Sequence, residues 1–235
     1  MRSWLRDRLA CAEARANAWL FLYGQGNRVE NLSRLRVPNA VLLPCIFIDP
    51  MKIEYKCNIR GEAQARRTLF RDGDWDVRRK SFAEVDSTDP RYISCAELLG
   101  SMPVEQTLEF QLLQERLLQR GEARGMRTLE QLRDYLQAVR GLYRQVAADG
   151  RLRTQDELGL CRYGGEINCA VGRDGQLLKT DDGNHRFALA RHLKLQEVPV
   201  QISVIHSACH RHLPVSDKGS SAVNAFLKQL QERYA

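Results

Sequence analysis

The chain has 235 residues, 43% hydrophobic and 28% charged, which is the composition of a globular protein of one domain, or of one domain with a helical extension. This excludes a disordered tail, a collagen-like chain and a small disulfide-stapled module. Lysine and arginine number 36 against 29 aspartates and glutamates, a net charge of +7, and arginine supplies 29 of the 36 cations. The planar guanidinium forks onto phosphates and carboxylates, so the surplus points to anionic partners. The cations are spread along the chain, so charge alone does not argue for nucleic acid. Seven cysteines, at 11, 45, 57, 95, 161, 169 and 209, are odd in number and form no C-x-x-C pair. That argues for reduced thiols in the cytoplasm.

In chain order, residues 3–23 carry Leu5, Leu9, Ala12, Ala16 and Leu20 near helical spacing, and Gly24–Asn27 ends the pattern. The run Trp19–Tyr23 within it is too short to span a membrane. Between 37 and 82 the texture changes to short apolar pieces punctuated by Pro38, Pro44 and Pro50. Ile53–Cys57 alternates as a half-buried strand does, and Thr68-Leu69-Phe70 leads into the turn Arg71–Asp76. Helices are expected over 92–100, 103–119 and 127–148. Thr128 and Gln131 form a capping box for the last, Leu132, Tyr135, Leu136, Val139, Leu142 and Tyr143 lie on its apolar stripe, and Gly150 ends it.

The last third reads strand, hairpin, strand, helix, strand. Ile167–Gly172 and Leu177–Thr180 flank Arg173-Asp174-Gly175-Gln176, where Asp-Gly suits a type I′ turn. A helix over 185–193 follows Asp181–Asn184, and Val198–Ile205 is a third strand. Residues 214–220 read as turn and 221–233 as a closing helix. The division is one domain with five segments: a helical 1–36, a strand and loop part 37–90, a helical insert 91–150, a core 151–213 and a C-terminal helix 214–235.

The chemistry concentrates in Asp182-Gly183-Asn184-His185-Arg186. A strand that feeds a glycine turn and then a helix start leaves backbone N–H groups pointing outward at the positive end of the helix dipole, an anion site. His185 and Arg186 in the first turn oppose that dipole, a conflict that a bound anion would resolve. Asn184 is placed to cap the helix, and Gly183 permits positive φ or the close approach of a ligand.

The stretch 160–206, with this Gly-x-His-Arg helix start and its Val-Pro-Val strand, resembles the ParB/sulfiredoxin-like superfamily. The turn Gly73-Asp74-Trp75-Asp76 ahead of a helical insert is similar to that of uncharacterised ParB-like proteins. The resemblance implies an α/β (α+β) fold, a small mixed sheet with a large helical insert and an N-terminal helix. It also implies nucleotide phosphates bound by Gly183, Asn184, His185 and Arg186. Asn184 stands where sulfiredoxins carry their reactive cysteine, which argues against sulfinic-acid repair. About 30 residues follow the last strand, too few for the DNA-reading helices of partitioning proteins.

The expected function is an NTP-dependent phosphotransferase, with ATP or another NTP and Mg²⁺ as cofactors and a small hydroxylated metabolite or glycan unit as acceptor. Asp182, with Asp181 beside it, would hold Mg²⁺. Glu166, Asp182 and His185 are the candidate catalytic residues, with Glu166 as base. Trp75, Asp76 and Arg173 are the candidate acceptor-binding residues, and a Trp75 packed inward is the structural alternative. A nucleotide-sensing or DNA-associated module, or more remotely a nuclease, is the alternative function. His206, Cys209, His210 and His212 could suggest zinc, but their spacing matches no standard finger.

Overall fold

The computed structural model describes residues 43–59, 69–159, 165–212 and 222–235. The helix expected over 3–23, Cys11, Cys161 and the turn at 214–220 lie outside them. In chain order the elements are β1 (Ile46–Ile48), β2 (Tyr55–Cys57), β3 (Phe70–Arg71), β4 (Arg79–Ser81), α1 (Phe82–Thr88), α2 (Pro90–Leu99), α3 (Leu108–Arg120), α4 (Leu129–Asp149), β5 (Ile167–Val171), β6 (Leu177–Lys179), α5 (Asn184–His192), β7 (Val198–His206) and α6 (Ala222–Tyr234). The protein is mixed α/β, with one seven-stranded mixed sheet and six helices among the described residues. No helix among the described residues is long and apolar enough to cross a membrane.

Two compact units divide these elements. The first comprises the described parts of Met1–Phe82, Arg153–Gly183 and Gln196–Ala235 and holds the whole sheet. Its strand order is β1-β7-β5-β6-β2-β4, with β3 also paired to β7. β5 runs parallel to β7 and antiparallel to β6, and β2 runs parallel to β6. Every residue of β5 is buried, as a central strand covered on both faces requires. One face packs Cys57, Ile59, Trp75, Ala170, Leu178 and Val204, with Tyr55 against them. At the β1 edge, Gln231 of α6 accepts the Phe47 N–H through its side-chain oxygen at 3.1 Å. That contact covers part of an otherwise open strand edge.

The β5–β6 hairpin differs from the type I′ expectation. Gly175 takes φ +73°, whereas Asp174 is absent from the non-glycine residues with positive φ. Gly175 N–H donates to Gly172 O at 3.0 Å, and Gly172 N–H to Gln176 O at 2.9 Å. This is a three-residue connection, a common turn followed by a left-handed glycine, which spares Asp174 the strained conformation that type I′ demands.

The second unit comprises Ala83–Leu152 and Asn184–Leu195 and is helical. Asp89 caps α2, with Pro90 in the first turn. The helix expected from 103 begins instead at Leu108. Thr107 is extended (φ −71°, ψ 145°) and accepts the Phe110 N–H at 3.4 Å, while Val104–Gln106 forms a short 3-10 turn before it. Two α2 side chains complete that helix start: Glu97 accepts the Leu108 N–H at 3.0 Å and Ser94 Oγ accepts the Glu109 N–H at 2.9 Å. Thr128 caps α4 by accepting the Gln131 N–H at 3.2 Å. Gln131 returns its side chain to the Arg127 N–H at 2.7 Å, one residue before the position a capping box uses. Of the expected stripe residues Leu132, Leu136, Val139 and Tyr143 are buried, and Tyr135 and Leu142 are half-buried.

Candidate functional site

The turn that leads to α5 is built on β6 and the start of β5. Thr180 N–H and Thr180 Oγ1 both donate to Asn168 O at 3.0 Å. Asn168 N–H donates to Asp182 O at 3.3 Å. Beneath these bonds lies Lys179, 0% exposed, whose ammonium donates to the carbonyls of Thr180 and Asp182. Burial lowers the proton affinity of Lys179 most, and Lys56 lowers it further; Cys169, Asp181 and Asp182 raise it, and the result is a value of about 8.

Gly183 closes the turn with φ +73°. A Cβ on it would lie 2.6 Å from Glu166 O and from Ile167 Cα. The glycine therefore serves a close approach of the protein's own backbone, and the same contact brings Glu166 beside the turn. The Glu166 side chain is buried and its Oε1 accepts the Gln155 N–H. Asp181, Asp182, Gly183 and Glu166 thus gather within the sheet unit. The chain passes directly from Gly183 into α5, which begins at Asn184, so Gly183 rather than Asn184 stands in the capping position. The first turn of α5 holds no acidic residue, and Asn184 and Arg186 are buried.

In the helical unit His185 joins a closed ring of side chains. Its Nε2 lies 2.8 Å from Glu109 Oε2, and Arg124 Nη2 lies 3.0 Å from Glu109 Oε1. Arg124 Nη1 donates to the Tyr135 hydroxyl at 2.5 Å, and that hydroxyl lies 3.4 Å from His185 Nδ1. Donors and acceptors close the ring when Nε2 carries the proton and Nδ1 faces the Tyr135 O–H. Glu109 is 2% exposed. Burial pushes its carboxyl up, but the bond from His185 and the charges of His185 and Arg124 outweigh burial and hold it below the ordinary range. Sequence reading missed Glu109 and Arg124, and placed Tyr135 only in the apolar stripe of α4. An acid in the first turn of a helix reads as dipole complementation, and nothing in the spacing pairs residue 109 with residue 185.

Trp75, Asp76 and Arg173 come together at the other end of the β5–β6 hairpin, about 14 Å of strand from the Gly183 turn. Trp75 is 2% exposed and packs in the sheet core. Asp76 accepts the Arg173 backbone N–H at 2.8 Å and the Arg173 side chain through Nε at 3.0 Å and Nη2 at 2.8 Å. Burial raises the Asp76 carboxyl, and the Arg173 hydrogen bonds and the nearby cations bring it below its ordinary value. These residues therefore lock the Gly73–Asp76 turn to the hairpin, and the inward packing of Trp75 leaves no open ring face. Asp76→Asn is expected to cost about 1–2 kcal/mol at pH 7. Because the folded carboxyl titrates low, that contribution is present above the unfolded value near 4 and is lost as pH falls through the folded value. Chemical denaturation at pH 7 and pH 3 checks both points.

His206 Nδ1 accepts the Ala208 N–H at 3.0 Å, and its Nε2 lies 2.8 Å from Gly73 O as donor. Both nitrogens are committed within the sheet unit. Cys209 is buried and its thiol is pushed up to about 11, mainly by burial. Among the described residues no three or more His, Cys, Asp or Glu side chains gather to hold a metal. No family model, curated protein or solved structure matches the chain.

Proposed function

We infer that the protein is an NTP-dependent phosphotransferase of ParB/sulfiredoxin-like type, with the nucleotide's phosphates at the Asp182–Arg186 turn. The observation that carries this reading is the Lys179 ammonium. A fully buried cation is costly, and this one is spent on ordering the carbonyls of the turn whose next residues open a helix with a basic first turn. Carbonyls held inward by a cation leave the following N–H groups to face an anion.

In this reading Arg186 forks onto the phosphate oxygens. His185 holds the first turn of α5 through Glu109. Asp181 and Asp182 fit Mg²⁺, which takes one or two carboxylates and completes its shell with phosphates and water. When bound, the ion would neutralise charge on the transferring phosphoryl group. Glu166 takes the proton of the acceptor hydroxyl. The acceptor oxygen forms the new bond to phosphorus as the bond to the nucleoside diphosphate oxygen breaks.

Arg186→Ala is expected to abolish nucleotide binding measured by calorimetry, and Arg186→Lys to weaken it while the helical circular dichroism is unchanged. Full affinity in a folded Arg186→Ala protein contradicts the reading. A nucleotide sensor would bind with the same Arg186 dependence but show no turnover with any hydroxyl acceptor.

A further inference from the structure

The ring around His185 has a direction. Glu109 Oε2 lies 2.8 Å from His185 Nε2, and an ionised carboxylate there keeps a proton on Nε2. Nδ1 then turns its lone pair to the Tyr135 hydroxyl, 3.4 Å away. From the other side Arg124 Nη1 donates to the same hydroxyl oxygen at 2.5 Å. Carboxylate, imidazole and hydroxyl stand in the order that activates a hydroxyl for attack, with a cation on the oxygen that becomes charged. All four side chains belong to the helical unit.

A structural ion pair would be complete with Glu109, His185 and Arg124, and buried pairs seldom stabilise more than apolar packing does. Here the chain of bonds runs on to a half-buried tyrosine. Its carboxylate end is closed, with Glu109 2% exposed, whereas the His185 and Arg124 side chains are 15% and 25% exposed. Arg124 also sits in a conformation that arginine disfavours. Arg124 and Gly125 take φ +53° and +81° between Ala123 and Met126, whose backbones exchange hydrogen bonds at 2.9 and 3.0 Å. Positive φ at both central residues marks a two-residue turn that favours Asn or Asp ahead of Gly. An arginine held there at some cost in strain brings its guanidinium to the Tyr135 oxygen.

Burial and the Glu109 charge raise the Tyr135 hydroxyl above its ordinary value, against the charge and hydrogen bond of Arg124, so it rests protonated and needs a base to react. Arg91, which also faces Asp89 at 3.6 Å, is a second cation within electrostatic reach of Glu109 and Tyr135. Two arginines beside a nucleophile suit an anionic electrophile. We propose that Tyr135 is a covalent nucleophile toward a phosphate monoester, with His185 as its general base and Arg124 as the cation on the phenolate and phosphoryl oxygens. Glu109 is the positioning residue that sets the imidazole tautomer. The Tyr135 oxygen bonds to phosphorus as the bond to the leaving alcohol oxygen breaks. The Tyr135 proton passes to Nδ1 and from there to the leaving oxygen. Water then takes the phosphoryl group from Tyr135, and its proton returns through Nδ1 to the Tyr135 oxygen. The proposal uses the helical unit alone and does not rest on the nucleotide reading.

The probes are p-nitrophenyl phosphate and a fluorophosphonate, each mixed with the full chain in the absence of nucleotide. The first should give a burst of nitrophenolate and, after acid quench, a phosphate mapped to Tyr135 by mass spectrometry. The second should expel fluoride and leave a stable adduct on the same residue. Tyr135→Phe, which keeps the ring's packing, should remove the burst and both modifications. His185→Ala should slow the burst about a hundredfold, and free imidazole should restore part of the rate. Glu109→Gln should lower kcat with little change in KM, because it acts through the imidazole and not on the substrate. Lys228→Gln, on α6, should react as wild type. A wild-type chain modified at Tyr135 by neither probe overturns the proposal. So does a folded Tyr135→Phe protein that keeps the burst, or a His185→Ala protein that reacts at the full rate.

Discussion

Gly183→Ala is expected to destabilise the fold by about 3 kcal/mol, through overpacking combined with a left-handed conformation. The added methyl would meet Glu166 O and Ile167 Cα at 2.6 Å and Ile167 N at 3.0 Å, all backbone. A flexible side chain could swing away from such a contact, but these atoms begin the buried strand β5 and cannot. The backbone at 183 also holds φ +73°, which any Cβ strains. Thermal unfolding should show a midpoint about 6–12 °C lower, given roughly 2–4 °C per kcal/mol for a chain of this size. Gly73, also at positive φ, has nothing within 4 Å of its Cβ position. Gly73→Ala should therefore cost much less, and equal losses at the two positions would contradict the close-approach argument.

Glu109→Ala is expected to cost about 2–3 kcal/mol, because it leaves the His185 Nε2–H and the Arg124 guanidinium without their buried acceptor. His185 Nε2 and Arg124 Nη2 both point at this carboxylate, at 2.8 and 3.0 Å. Glu109→Gln keeps the shape and loses the charge, so its cost should fall between wild type and alanine. The wild-type carboxyl titrates below its ordinary value near 4.5, so its contribution is complete above that pH. It is lost as pH falls through the folded value. Denaturant midpoints from pH 7 to pH 3 should converge for wild type and Glu109→Gln at the acid end. Curves that stay parallel would show that the carboxylate charge does not hold the ring.

Local signals in the chain translated well where they depended on neighbours in sequence. The Thr128 cap of α4, much of its apolar stripe and the presence of the β5–β6 hairpin follow from spacing and turn chemistry, although the hairpin turn is not the type I′ expected. Helix α3 was harder to place, because Pro103–Gln106 carries helix-compatible residues and the boundary is set by Thr107 and by Ser94 and Glu97 from α2. β1 and β4 are three residues each, too short for periodicity to register, and owe their form to β7 and β2, which are not adjacent to them in sequence.

The site shows the same division. The turn at Gly183 and the helix after it were legible because they are contiguous in sequence, although Gly183 rather than Asn184 takes the capping position. Glu166 was picked out only as the residue ahead of a strand, and its place beside Gly183 depends on how β5 meets the turn. The ring around His185 joins residues 109, 124, 135 and 185, which only the tertiary fold brings together. Trp75 illustrates the opposite case: an aromatic residue flanked by two carboxylates reads as a binding surface, yet its ring fills the sheet core while Asp76 turns to Arg173. Lys179 stood in a plain strand pattern, and its burial and its bonds to the Thr180 and Asp182 carbonyls mark it.

Phosphate binding at the Asp182–Arg186 turn is the proposal on which the function depends. The most direct measurement is thermal unfolding of the full chain with each NTP and Mg²⁺ in turn. Ligand at about 100 times its Kd stabilises by about 2.7 kcal/mol. The account therefore predicts a rise of about 5–10 °C with at least one NTP, abolished by Arg186→Ala. An unchanged midpoint with every NTP at millimolar concentration would contradict it.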